Sequence, residues 1–235
     1  MERALLRPDA NDETRERLIE PDHAGRRRPT QADRRARTRN ALLESAARGL
    51  SRYGYGNLKL EQVAQDAGYT RGALYHQFKD KQDLVLAVIE WVLQTMRQEV
   101  FARVDQESEP VTALLTLARG HAIFCRRDIA RMALAVRLEF SGQDHPVGRE
   151  IERSYELLVQ SCVRLIDAGR ENGTIPPGPP TSTVALAFVG ALEGTVAAVA
   201  GLAPHDELLA ARAVAGVLGL DPVAVTQNRM KETTK

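Results

Sequence analysis

Between Leu58 and Leu84 the apolar positions fall into two short helical sets. Leu60, Val63, Ala64 and Ala67 recur at helical spacing and stop at Gly68, and Ala73, Leu74 and Phe78 begin again directly after Tyr69-Thr70. Glycine ends the first helix because it enters the left-handed region without a Cβ penalty, and Thr70 can cap the second by accepting from its first-turn amides. Two short helices around a tight turn make a helix-turn-helix. The second keeps Leu74 and Phe78 for a core and presents Thr70, Arg71, Gly72, Tyr75, His76 and Lys79 outward, donors and cations with no carboxylate among them. Such a face suits a polyanion.

The pattern extends to both sides. Thr30 and Asp33 form a capping box that opens a helix whose buried stripe is Leu43, Ala46, Ala47, Leu50 and Tyr53, ending at Gly54 and Gly56. Lys59–Ala67 and Arg71–Gln77 are the next two helices, and Asp80 caps a long one through Val104. Its N-terminus, flanked by Lys79 and Lys81, reads as a phosphate clamp. Its belt of apolar residues from Leu84 to Phe101 is wide enough to need partners on several sides, as expected of a helix joining two domains. Further helices are predicted at 110–126, 127–141, 147–173, 181–202 and 206–219, separated by Gly- and Pro-containing breaks. With no sustained period-two alternation, the fold class is all-α. The expected division is an arm over 1–28, a helix-turn-helix domain over 29–80, a helical domain over 81–221 and a polar tail over 222–235.

The helix-turn-helix resembles the TetR family of bacterial regulators, in the residues Val63-Ala64, Ala67-Gly68, Tyr69-Thr70, Gly72, Leu74-Tyr75, Phe78, Lys81 and Leu84. Two positions depart from the family pattern. Leu58-Lys59 stand where Thr or Ser usually starts the helix, and Gln77 stands where His or Tyr often precedes the Phe. The resemblance implies a homodimeric transcription regulator, expected to be a repressor, reading palindromic double-stranded DNA with one recognition helix per major groove. On that reading Arg71 reads a guanine edge, Thr70 and Tyr75 touch base methyls or backbone, and Gly72 allows close approach. Lys59, His76, Lys79 and Lys81 hold phosphates. The resemblance also implies a small-molecule site in the second domain. Candidate wall residues are Trp91, Gln94, His121, Phe124, Met132, Arg137, Phe140, Tyr155 and Phe188, a mainly apolar set that suits an uncharged or amphipathic organic effector.

Composition narrows the picture. Thirty-two Lys and Arg against 31 Asp and Glu give a net charge of +1, so any attraction to nucleic acid has to be local. One such place is Arg26–Arg39, an arginine-rich arm able to lie along phosphates or enter a minor groove. Cys125 and Cys162 have no CxxC partner and read as buried thiols of a reducing compartment. The charged N-terminus lacks the apolar stretch of a signal peptide, so a cytoplasmic protein is expected. Val184–Ala203 is long and apolar enough to span a bilayer, but Glu193 at its centre would cost about 2.5–3.5 kcal/mol there.

Small residues along this stretch, Ala185, Ala187, Gly190, Ala191, Gly194, Ala197, Ala198 and Gly201, suit close helix packing. With helix 206–219 they form the expected two-fold dimer interface. No hydrolase, zinc-protease, phosphate-loop or dinucleotide motif occurs, and the five histidines are scattered, so catalysis, a metal centre and a cofactor are not expected. The competing readings are a constitutive or architectural DNA-binding dimer without an inducer, and a protein-interaction adaptor.

Overall fold

The computed structural model describes residues 30–221, so the Arg26–Arg28 segment of the arm and the expected tail lie outside the described residues. Ten α-helices follow one another, and no strand occurs among the described residues. Helix α1 (Gln31–Asn57) opens on the Thr30–Asp33 capping box, with Thr30 Oγ1 accepting from Asp33 N and Asp33 accepting from Thr30 N. Leu42, Leu43, Ala46, Ala47 and Leu50 of α1 pack on α2 (Leu60–Asp66) and α3 (Arg71–Tyr75) through Val63, Ala64, Leu74 and Phe78. The Ser45 hydroxyl donates to the Val63 carbonyl inside this core at 2.9 Å, fixing α1 against α2. Tyr53, expected in the buried stripe, is instead exposed, because the helical backbone breaks at the next residue. Gly54 has φ 71° and ψ −179°, a conformation that only glycine tolerates, and α1 kinks there before its final turn.

Helix α4 (Lys81–Met96) runs from beneath the three-helix head into the second half of the molecule. The expected uniform α-helix to Val104 is interrupted by a π-helical turn, Arg97–Phe101, before the short α5 (Ala102–Val104). The wide turn seats buried Val100 against α6 (Pro110–Phe124) at Gly120, where an added Cβ would lie 2.9 Å from Val100 Cγ1. Helix α7 (Met132–Glu139) starts five residues later than the spacing predicts. The residues before it are held as a loop by ion pairs: Arg126 to Asp206 and Glu207, Arg127 to Glu99, and Asp128 to both Arg52 and Arg131. Helices α8 (Pro146–Glu171), α9 (Thr181–Val199) and α10 (His205–Val217) complete the bundle close to their expected bounds.

Helix α9 meets the length and apolarity needed to cross a membrane, yet Ala185, Phe188, Val189 and Leu192 on one face are fully buried in the bundle. Its other face carries Leu186, Ala187, Gly190, Gly194, Ala197 and Ala198 to the surface. The small-residue set expected at one interface is therefore split, with Ala185 in the core and most of the remainder outside.

Candidate functional site

Two regions hold the chemistry, and the first is the outer surface of the head. Thr70 caps α3 as expected, accepting from Ala73 N at 3.2 Å. Leu74 and Phe78 are buried, which turns Thr70, Arg71, Gly72, Tyr75 and His76 outward, and all five are exposed together with Lys79 and Lys59. Lys59 sits at the N-cap of α2, where its side chain makes no capping bond. Arg71 is not free-standing. Glu61 of α2 pairs with it at 2.9 Å, and its guanidinium lies over the Tyr75 ring at 5.3 Å. The bond to Tyr75 and the Glu61 charge both raise its already high pKa. A carboxylate that α3 itself does not carry is thus supplied by its neighbour.

Lys81 departs from its expected role. Its ammonium donates to the Gly56 carbonyl at 3.0 Å and lies over the Tyr55 ring at 4.6 Å, and burial lowers its pKa. The expected clamp at the α4 N-terminus is also filled from within. Asp80 accepts from Asp83 N at 2.9 Å and Asp83 accepts from Lys79 N at 2.9 Å, so two carboxylates occupy the place where a phosphate would sit.

The second region is a partly open cavity of about 310 Å³ lined by α4, the π turn, α6, α7, α8 and α9. Of the nine wall candidates, His121, Phe124, Arg137 and Tyr155 line it. Met132 and Phe188 are fully buried in the surrounding core, Trp91 packs on that core from outside, and Gln94 is exposed on α4. Phe140 stacks on His145 with ring centroids 4.5 Å apart and meets Tyr55 edge-on at 5.0 Å, lining a smaller hollow with Arg137 and Glu152. Hydrophobic spacing does not distinguish a core face from a cavity face, so it does not by itself place these five relative to the cavity.

Sequence reasoning also passed over Phe101, Met96, Ser154 and Glu193, which do line the cavity. Only Glu193 carried a signal, as the single charge in an apolar helix. Its carboxylate lies 3.4 Å from Arg137 Nη1, while Arg137 Nε donates to Glu152 at 3.1 Å and the guanidinium covers the Tyr155 ring at 3.4 Å. Burial raises the Glu193 pKa against the opposing pull of Arg137. His121 is held neutral, its pKa lowered to about 4 by burial, and the same cause pushes the Cys125 thiol up to about 12. Cys125 Sγ lies 3.8 Å from His121 Nε2, but burial disfavours both the thiolate and the imidazolium, so the pair suits packing and hydrogen bonding.

Helix α7 links the two regions. Arg137 faces the cavity, and Glu139, two residues on, reaches the kink of α1, accepting from Tyr55 N at 2.5 Å and from Gly56 N at 2.7 Å. The absent side chain of Gly54 makes room for it, since a Cβ there would lie 2.6 Å from Glu139 Oε2.

Comparison with known proteins agrees with this arrangement. Residues 42–88 match the model of the bacterial regulatory proteins of the tetR family. The chain is 24% identical over 160 residues to the uncharacterized HTH-type transcriptional regulator YfiR of Bacillus subtilis, covering 66% of this chain and 76% of that one. It is 26% identical over 147 residues to the A-factor receptor protein of Streptomyces griseus, covering 61% and 48%. To the HTH-type transcriptional regulator CymR of Pseudomonas putida it is 35% identical over 77 residues, covering 33% and 38%. It thus spans less than half the length of the latter two. The fold matches AibR, solved with isovaleryl coenzyme A and operator DNA, at a TM-score of 0.64 with 22% identity over 79% of this chain and 98% of that one. A TetR-family transcriptional regulator from Streptomyces coelicolor matches at 0.63 with 23% identity over 78% and 95%. Residues 42–88 thus carry the helix-turn-helix of the bacterial regulatory proteins of the tetR family, and the helical bundle behind them shares the fold of the solved regulators.

Proposed function

We propose that the protein is a homodimeric repressor that leaves a palindromic operator when a small molecule enters the α4–α9 cavity. The observation that carries this reading is the outer face of α3, where Thr70, Arg71, Gly72, Tyr75 and His76 are exposed while Leu74 and Phe78 anchor the helix from behind. Residues 29–80 serve as the reading domain and 81–221 as the effector and dimerisation domain. Arg71 reads a base edge once it exchanges Glu61 for guanine, a bidentate contact worth roughly 1–3 kcal/mol of discrimination. Lys59, His76 and Lys79 hold phosphates. Lys81 serves instead as a brace between α4 and the α1 kink. Operator DNA as partner puts the site of action in the cytoplasm.

The exposed face of α9, with Leu209 and Gly216 of α10, supports a two-fold interface. A Cβ built at Gly190, Gly194 or Gly216 meets nothing within the protomer, so a second copy can approach the backbone closely. An effector reading is favoured over a constitutive DNA-binding dimer by the cavity itself, and the neighbour AibR holds isovaleryl coenzyme A together with operator DNA. Coupling runs through α7: a ligand that displaces Arg137 shifts Glu139, and Glu139 carries the head through the amides of Tyr55 and Gly56. Such a ligand acts only by binding the DNA-incompetent arrangement more tightly, and operator DNA then weakens its binding by the same factor. Selection of bound fragments from random duplex DNA tests the reading. A palindrome with half-sites roughly 34–36 Å apart is expected. Recovery of no common sequence would contradict it.

A further inference from the structure

Granted the base-reading role proposed for Arg71, Glu61 stands where a carboxylate is least favoured, beside that arginine on the DNA side of the head with 58% of its side chain exposed. Its Oε1 lies 2.9 Å from Arg71 Nη1, and among the described residues no other group pairs with its carboxylate. Tyr75 holds the guanidinium from a second side, its hydroxyl accepting from Nη2 at 3.5 Å and its ring centroid 5.3 Å from Cζ. The head thus presents an acceptor directly beside a fork of donors. When Arg71 takes a guanine edge, Glu61 loses its cation and faces the duplex alone. Left among phosphates without a donor, it would weaken every complex. The major groove supplies two kinds of donor, adenine N6 and cytosine N4. Adenine carries the N7 acceptor beside its amine, which repels a carboxylate, whereas cytosine sets no acceptor there. A bidentate contact occupies the guanine of one pair. Successive bases of a strand lie about 3.4 Å apart along the axis, close to the 2.9 Å between the two side chains, so the carboxylate falls on the next pair. A carboxylate in the first turn of α2 also complements the dipole of that helix, a role that bears on stability and is indifferent to base.

We infer that Glu61 is a second base-reading residue, accepting a hydrogen bond from N4 of a cytosine in the base pair next to the guanine that Arg71 reads.

The test is selection from random duplex DNA by the full-length parent, Glu61→Ala, Glu61→Gln and Arg71→Ala, the last locating the guanine that Arg71 contacts. The parent's operator is then titrated against a duplex in which the neighbouring cytosine is thymine, with its partner base changed to match. The parent is expected to select a cytosine beside that guanine in each half-site and to bind the thymine duplex about tenfold more weakly. Glu61→Ala should bind the two duplexes alike while still preferring guanine at the Arg71 position. In Glu61→Gln the neighbouring preference should move to adenine, which a glutamine reads through N6 and N7. If circular dichroism finds Glu61→Ala unfolded, the switch in Glu61→Gln carries the same prediction. A parent operator without that cytosine, or a neighbouring preference that is unchanged in both variants or lost together with the guanine preference, overturns the inference and leaves Arg71 as the reader. Failure of the parent to select any common sequence overturns the reading head and the inference with it.

Discussion

The head and the cavity put their polar groups to opposite use. On the head, Arg71 and Tyr75 stand in water on a helix five residues long, with His76 and Lys79 just past its end, and Leu74 and Phe78 fix the segment from behind. Exposed cations of this kind are screened and mobile, and they gain their worth only when a polyanion arrives. In the cavity, Arg137 and Glu193 come from two helices, are partly buried and are already paired, and Glu152 of a third helix also holds Arg137. The head is built to meet a partner's charge, whereas the charges of the cavity wall balance among themselves. Between them runs a single short helix, α7, with Arg137 at one region and Glu139 at the other.

The contrast can be broken most severely at the surface that brings two heads together. Gly190→Arg should leave the protomer's helix content unchanged, since the site is open, but abolish the dimer. Loss of two-site avidity should weaken operator binding by about 10²–10⁴-fold, measured by sedimentation and by duplex titration. Unchanged sedimentation would remove α9 from the interface.

Next in size is the joint. Gly54→Ala forces a side chain into a glycine-only conformation and drives a Cβ into Glu139 Oε2, at a combined cost of roughly 3 kcal/mol. For a chain of this size that lowers Tm by about 6–12 °C, and a melting curve reads it directly. A variant as stable as the parent would mean that Glu139 does not hold the kink.

The smallest effect is the response to acid, and it separates two buried groups. His121 is held near 4, below its ordinary 6.5, so the folded protein refuses a proton that the unfolded chain accepts. Its contribution is whole above pH 6.5 and is lost as pH falls toward 4. Asp206 is held near 2, chiefly by the Arg126 hydrogen bond, and its contribution is whole above 3.8 and lost from there down to 2. Denaturant midpoints across pH 7 to 4 should therefore slope less in His121→Leu than in the parent, and Asp206→Asn should leave that slope alone while lowering stability throughout.

How far the sequence discloses the molecule follows the same division. The head is local: Gly68, Thr70, Leu74 and Phe78 lie within eleven positions, and their spacing alone dictates which side of α3 faces out. Glu61 escaped because a neighbouring helix supplies it. Inside the bundle, spacing identifies α6, α8, α9 and α10 but not which apolar face meets a void, so Met132 and Phe188 exchanged places with Phe101 and Met96. Glu193 stood out as a charge amid apolar residues, yet its partner lies 56 residues away and only the packing of α7 on α8 and α9 unites them. Gly54 read as a helix end, and its purpose as a receptor for Glu139 depends on a residue 85 positions later, the separation between 54 and 139.

The central claim is that Arg71 reads sequence while its cationic neighbours only hold the backbone. Its most direct test is the ratio of affinities for the selected operator and for scrambled duplex, measured over several salt concentrations in the parent, Arg71→Ala and Lys79→Ala. Arg71→Ala should lower the ratio by about 10- to 100-fold, while Lys79→Ala should weaken both duplexes alike and reduce the salt slope by about one. An Arg71→Ala variant that loses affinity for both duplexes equally would contradict the claim and make the head a phosphate-binding surface alone.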